Sequence, residues 1–390
     1  MGDSAESGPA GPEARSDPPN SSIVTLGDQD DALEAVSYWR LMWWKFRRNR
    51  AGFLGMIVVV LLYLIVAPAE FFSPYQMNSR HRTYLAAPPQ LPRLIGTNGE
   101  FSLRPFVYGM KSEIDPVTLS RTYEFDTSQV YYLGLFVRGE PYTLLGFDSD
   151  IHFFGVSEGE WFPLGTDREG RDLLSQTIYA GRVSLTVGFV GVMLSMVIGT
   201  VVGLASGFYG GRVDDVIQRG IEILLSFPRI PLWLLLSAAI PAEWNPIKVF
   251  FAITVILSLV GWGGLARVVR GMTLSLKNDE YILAARINGA NTRWILFRHL
   301  FPGNFSYIIV ASSLAIPAMI LGETALSFLG LGIHRPMVSW GVLLRQTQDV
   351  TVLASQPWLV LPLLMVIVSV LAFNFVGDAV RDAADPLASR

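Results

Sequence analysis

Four lysines and four histidines limit the chemistry this sequence can perform. A phosphate-binding loop closes on Gly-Lys-Ser/Thr, with the lysine reaching the phosphates. Lys45, Lys111, Lys248 and Lys277 each follow a residue other than glycine, which excludes nucleotide hydrolysis by such a loop. His81, His152, His299 and His334 lie far apart with no pair at helical spacing, so no metal site is indicated. None of the four falls in a long apolar stretch, so a Ser–His nucleophile within a bilayer is excluded as well.

Charges and small residues inside apolar stretches are the next candidates. Glu222 and Arg229 stand seven apart, which would place both on one helix face. A charge at membrane depth is costly, so the two are candidates to line a polar pathway or meet a partner subunit. The alternative is that both lie near the interface and reach into water. Phe227-Pro228 and Pro231 should bend or interrupt that helix. Glu323 closes another apolar stretch, where an exposed carboxylate costs little and a structural role is expected. Gly191, Ser195, Gly199, Gly203 and Gly207 recur every four positions. Such a ladder lets a second helix approach closely. It serves packing within one subunit, a subunit interface or a pathway lining.

The most informative segment is NDEYILAARINGANTRWILFRHLFPG, residues 278–303. Asn278 or Asp279 can cap a short helix beginning near Glu280. Tyr281 and Ile282 stand beside a smooth strip made by Ala284 and Ala285. Gly289 falls where that helix would end, free to take a positive φ. Asn291 and Thr292 can start a second helix, and Pro302 marks the approach to the next apolar stretch. A helix–turn–helix of this kind fits a groove on a soluble partner, or serves as an amphipathic connector.

These segments hang on elements made for lipid. Of the 390 residues 51% are hydrophobic and 16% charged, where soluble domains carry about a quarter charged. A helix needs roughly 20 apolar residues to cross a bilayer. Six stretches qualify, at 51–72, 183–206, 217–240, 249–266, 305–325 and 358–376. Arg40, Lys45, Arg47, Arg48 and Arg50 precede the first, and Lys277, Arg286, Arg293 and Arg298 separate the fourth and fifth. The loop at 241–246 has neither Lys nor Arg, so both termini are expected in the cytoplasm. YWRLMWWKFRRNR mixes Trp and Arg as an interfacial helix does. Residues 1–37, acidic and rich in Ser, Gly and Pro, are expected to be a disordered cytoplasmic tail without the apolar core of a signal peptide. Residues 73–163 are expected to form a small β-rich external domain, because VYYLGLFVRG and PYTLLGF are aromatic, β-branched and punctuated by Gly and Pro. The alternative is an irregular loop. A net charge of −3 gives nucleic-acid binding no support, and the absence of cysteine removes disulfides and thiolate sites.

Residues 278–303 resemble the coupling motif of ATP-binding cassette importer permeases: Glu-Ala-Ala, three residues, Gly, nine residues, Ile, one residue, Leu, Pro. Ala284, Ala285, Gly289 and Pro302 fall in register, while Leu283, His299 and Phe301 replace the Glu, Ile and Leu. PLGTDREGRDLLSQTIYAGRVSL, GFYGGRVDDVIQRGIEILLSFP, LGETALSFLGLG, SWGVLL and LAFNFVGDAVRDAADP resemble, in this order, the C-type permeases of the dipeptide and oligopeptide (peptide/opine/nickel) family, some of which carry an extra external domain. The resemblance implies an all-α polytopic type I importer permease with six transmembrane helices and a small β-rich external insertion. It implies a five-helix core at 164–390 behind an interfacial helix and first transmembrane helix at 38–72, in a bacterial plasma (inner) membrane. It implies a non-catalytic subunit without cofactors, forming half of a translocation pathway for peptides or similar solutes. Its partners would be a homologous second permease, two cytoplasmic ATPases holding ATP and Mg, an extracytoplasmic solute-binding protein and the lipid bilayer. Glu280, Tyr281, Leu283, Ala284, Ala285, Gly289 and Pro302 would then meet the ATPase. Oligosaccharides, opines or nickel chelates are alternative cargoes. An ion-coupled secondary transporter or a membrane scaffold are readings of a different class; inverted repeats and midplane carboxylates, which a secondary transporter needs, are not evident in the sequence.

Overall fold

The structure, a computed structural model, describes residues 38–384 apart from 98, 115, 117–120 and 242, and the side chains from Arg40 onward. The expected tail at 1–37 lies outside the described residues. Helices α1 (Tyr38–Arg48) and α2 (Arg50–Val66) meet at 98°. The joint is Asn49, whose side-chain oxygen accepts the Gly52 N–H at 3.0 Å and caps α2. Phe46 of α1 is buried against Ala379 and Ala383, while Trp43 and Trp44 are exposed. The first apolar stretch ends earlier than expected: α2 stops before Pro68, and a separate turn, α3 (Ala69–Phe72), follows.

Four strands come next: β1 (Arg93–Ile95), β2 (Phe101–Ile114), β3 (Arg121–Leu144) and β4 (Phe147–Val156). They form one antiparallel meander in chain order, with Phe106 opposite Tyr132 and Leu144 opposite Phe147. The turn between β3 and β4 puts Leu145 and Gly146 at φ +52° and +88°, the backbone that matches strand twist in a two-residue hairpin. The segments that flank the sheet are tied to each other by side chains: Trp161 Nε1 donates to Gln90 O at 2.9 Å, and Thr166 Oγ1 accepts the Ala87 N–H at 2.8 Å.

The remaining helices are α4 (Leu173–Tyr209), α5 (Gly211–Ser226), α6 (Arg229–Ala238), α7 (Pro246–Leu276), α8 (Glu280–Ile287), α9 (Thr292–Phe328), α10 (Trp340–Leu344), α11 (Val350–Ser355) and α12 (Pro362–Ala384). Among the described residues, α4, α7, α9 and the stretch Pro357–Ala384 containing α12 are long and apolar enough to cross a membrane, and the pairs α1–α2 and α5–α6 qualify only as bent units. The expected third span at 217–240 is therefore not one helix. It breaks at Phe227-Pro228, and its halves stand at 89°. Proline has no N–H and forces the residue before it out of the α region; Phe227 accordingly lies at φ −84°, ψ 137°.

The core lies where α4, α7, α9 and α12 meet. Val187, Ile253, Leu257, Met319 and Leu326 form one buried cluster, and Leu185, Ile320, Trp340, Val366 and Phe373 a second. The small-residue ladder is used up here, within the subunit. A Cβ on Gly199 would lie 2.9 Å from Trp262 O, and one on Gly203 would lie 2.6 Å from Ala266 O. Ser195 Oγ donates to Ser258 O at 2.9 Å, and Gly191 O accepts from Ser258 Oγ at 2.9 Å. Small side chains bring two backbones into contact, which in lipid replaces the hydrophobic driving force. Gly191, Ser195, Gly199 and Gly203 thus face α7, the packing alternative of the three.

Candidate coupling site

Helix α8 is a short rod held by one apolar side chain. Ile282 is fully buried against Leu204, Val269, Ile295, Leu300 and Ile308. Tyr281, Leu283, Ala284, Ile287 and Gly289 are exposed, Ile287 to 85%, and Ala285 is half-buried. Asp279 occupies the N-cap position without a side-chain cap bond. At the other end the Ala290 N–H reaches Ala285 O and the Gly289 N–H reaches Arg286 O, both at 3.0 Å. This closure needs a left-handed residue, and Gly289 sits at φ +80°. Asn291 Oδ1 then accepts the Trp294 N–H at 2.7 Å and starts α9 two residues later.

The base of the unit is stiff. Arg286 lies 4.9 Å over the Phe208 ring of α4, and Lys277 Nζ donates to Gly207 O at 3.0 Å. Helix α9 runs on through a π turn at Leu296–Leu300, where the Phe301 N–H reaches back to Leu296 O. Pro302 follows, and a residue without N–H is tolerated there because the wider turn has already displaced the hydrogen-bond register.

The other expected site residues are placed differently. Glu222 is exposed on α5, and Arg229 opens α6 beyond the right-angle break. The single helix face that would have joined them does not exist. Glu323, expected at an exposed helix end, is fully buried. Its carboxylate accepts Ser184 Oγ at 2.9 Å and Ser327 Oγ at 2.7 Å, and the Trp340 N–H donates to the same Ser184 oxygen at 3.2 Å. The chain after α9 folds back as α10 and seals it.

Two further polar clusters stand at opposite ends of α4, and sequence reading missed both. At the end beside α8, Arg270 grips both carboxylate oxygens of Asp214, which also accepts from Ser206 Oγ. At the sheet end, buried Arg171 donates to Asp167 at 2.8 Å and to Glu169 at 2.5 Å, and Arg335 reaches Asp167 at 3.3 Å. Asp172 beside them caps α4 through the Ser175 N–H at 2.7 Å. The only signal available beforehand was charge density in TDREGRD; Arg335 is 164 residues away from Arg171 in the chain.

Burial pushes the Asp172 carboxyl up to about 6, against the pull of its Ser175 hydrogen bonds. Between the ordinary aspartate value, about 3.9, and 6, the folded chain binds a proton that the unfolded chain has released. Stability therefore falls as pH rises through that window, by about 3 kcal/mol in all. Asp172→Asn keeps an N-cap acceptor and should flatten the thermal-stability profile between pH 4 and 7. An unchanged profile would show that Asp172 is not the titrating group.

The family description "Binding-protein-dependent transport system inner membrane component" matches residues 199–390, and "N-terminal TM domain of oligopeptide transport permease C" matches residues 37–89. Together with the bundle, the class is that of the membrane-spanning permease of ATP-driven importers. The oligopeptide transport system permease protein OppC of Haemophilus influenzae is 42% identical over 355 residues, covering 91% of this chain and 90% of that protein. OppC of Bacillus subtilis is 29% identical, covering 93% and 94%, and the dipeptide transport system permease protein DppC of that organism is 39% identical, covering 59% and 69%. The chain belongs to the C-type oligopeptide permease family of ABC importers.

Proposed function

We propose that this permease subunit forms half of a pathway importing peptides or similar solutes, and that α8 carries the stroke of the partner ATPases into it. The observation that carries the reading is α8 itself: an exposed apolar helix, fixed at Ile282 and closed by a left-handed glycine. Glu280, Tyr281, Leu283, Ala284 and Ala285 would contact a groove on the ATPase, with Gly289 and Pro302 setting the angle of the unit. Leucine at 283 offers an apolar contact where related motifs carry an acid. ATP binding by the partners would bias a two-state rocking of the helices, and ATP and Mg would be held by those partners. In this reading the bent pairs complete six spans, both termini are cytoplasmic, and the sheet faces outward to receive a solute-binding protein. Glu222 and Arg229 remain candidates for contact with the second permease. Oligosaccharides, opines and nickel chelates are the alternative cargoes.

The test is uptake into proteoliposomes carrying the permease pair, the ATPases and the binding protein. Uptake of a labelled peptide should require ATP and every component, and a thiol label at Phe147→Cys should react from the side where the binding protein is added. Uptake driven by an ion gradient without the ATPases, or labelling of Phe147→Cys from the ATPase side, overturns the mechanism or the orientation respectively.

A further inference from the structure

A cavity of about 560 Å³ opens at the sheet end of the bundle, between the 163–172 loop and the chain that follows α9. Arg168, Arg171, His334, Arg335 and Arg345 line it, together with Glu169, Gln346 and the apolar walls Ile333 and Val342. Its positive charge is under-compensated. Including Arg80 on Glu169, five guanidinium groups face three carboxylates, those of Asp167, Glu169 and Asp349. Arg171 is buried and fully engaged, whereas Arg335 gives one terminal nitrogen to Asp167 and Gln176 and keeps Nη1 buried without a partner. Arg345 pairs with no carboxylate among the described residues; its guanidinium lies flat on Gly330, where a Cβ would come within 2.8 Å of its Cζ. Burial and the neighbouring Arg171 both lower the Arg335 proton affinity, as expected where like charges are held together without enough anion.

A planar, two-pronged donor is made for a carboxylate. The cavity is larger than one anion needs, and the apolar wall beside the arginines suits a side chain attached to that anion. We infer that this cavity takes the C-terminal carboxylate and last side chain of a peptide, with Arg345 and Arg335 on the carboxylate and Ile333 and Val342 against the side chain. The identity of the ligand rests on the peptide reading above; the pocket itself rests on the charge and shape just described. The placement makes this pocket a selection point at the mouth of the permease, separate from whatever the binding protein selects.

Arginine modification by phenylglyoxal, mapped by peptide mass, tests this in the assembled transporter without requiring turnover. A tripeptide with a free C-terminal carboxylate should protect Arg345 saturably, about fourfold at three-quarters occupancy. The same tripeptide as its C-terminal amide should not protect, and Arg138, exposed on the sheet, should react equally in both samples. Absence of protection, or equal protection by the amide, overturns the pocket. Equal protection by acetate at the same concentration reduces it to a general anion site and overturns the peptide assignment. Uptake of the tripeptide is measured in parallel: protection without uptake supports the pocket and fails the cargo reading instead. Arg345→Gln should raise the half-saturating concentration for the free-carboxylate tripeptide at least about tenfold, one lost charge-assisted contact, with unchanged ATPase co-purification.

Discussion

Gly289→Val should reduce ATP-driven uptake at least about tenfold at matched membrane abundance. The residue closes α8 at φ +80°, where a β-branched side chain is a genuine outlier and the strain is about 1–3 kcal/mol. A Cβ there would meet nothing within 4 Å, so the effect comes from the backbone alone and not from a clash. The chain relieves the strain by opening the closing bonds from Ala290 and Gly289, which turns α8 about the buried Ile282. The helices elsewhere keep their packing, so the protein should still insert and pair. The expected phenotype is poor co-purification of the ATPases, or hydrolysis without transport. Gly289→Asn, which tolerates the left-handed region, should retain uptake within about threefold. Ala285→Arg should reproduce the valine defect by placing a bulky charge on the contact strip. Wild-type transport by both the valine and the arginine variants would remove α8 from the coupling pathway.

Gly203→Val should cost more, and differently: the folded subunit itself should be lost. The new Cβ would lie 2.6 Å from Ala266 O and 2.8 Å from Val269 Cβ. Neither neighbour is a flexible side-chain end, so α4 and α7 must separate along the seam that runs from Gly191 to Gly207. Overpacking of a tight core costs about 1–3 kcal/mol, occasionally more, and here it also opens the Ser195–Ser258 hydrogen bonds farther along. Thermal unfolding in detergent should fall well below wild type, with loss of monodisperse protein. Gly264→Val on α7, where a Cβ meets nothing within 4 Å, is the control and should be near neutral. Equal stability of the two variants would mean that α4 and α7 do not approach as described.

What could be read beforehand follows from the range of each interaction. Apolar length is local, so the stretches behind α2, α4, α7, α9 and α12 were visible, and the aromatic and β-branched residues of VYYLGLFVRG were enough to expect strands. The cap at Asn291 and the reversal at Gly289 were legible because each depends on one residue and its immediate neighbours. The right angle at Phe227-Pro228 was half legible: the proline signalled a break, but its angle is set by packing of Ile221 and Trp233 on other helices. Glu323 was misjudged because its burial is imposed from a distance, by Ser184 on α4 and by α10 folding over it. The Asp214–Arg270 and Arg171–Asp167–Arg335 clusters were invisible for the same reason. Asp214 is separated from Arg270, and Arg335 from Asp167 and Arg171, by long apolar segments, and nothing in either partner's neighbourhood names the other.

Helix α4 has 37 residues. At 1.5 Å per residue that is about 55 Å, against about 30 Å of hydrocarbon, so roughly 25 Å of it extends past the lipid or is taken up by tilt. It carries Asp172 and the arginine cluster at one end and the Ser206–Asp214–Arg270 grip at the other, with no proline between them. Mechanically it is a strut without a joint. A tilt imposed where Phe208 meets Arg286 cannot be absorbed along the way, so it arrives at the far end as a lateral displacement, magnified when the pivot lies nearer the driven end. A few degrees over 55 Å is a few ångströms, the scale on which a guanidinium gains or loses its carboxylate.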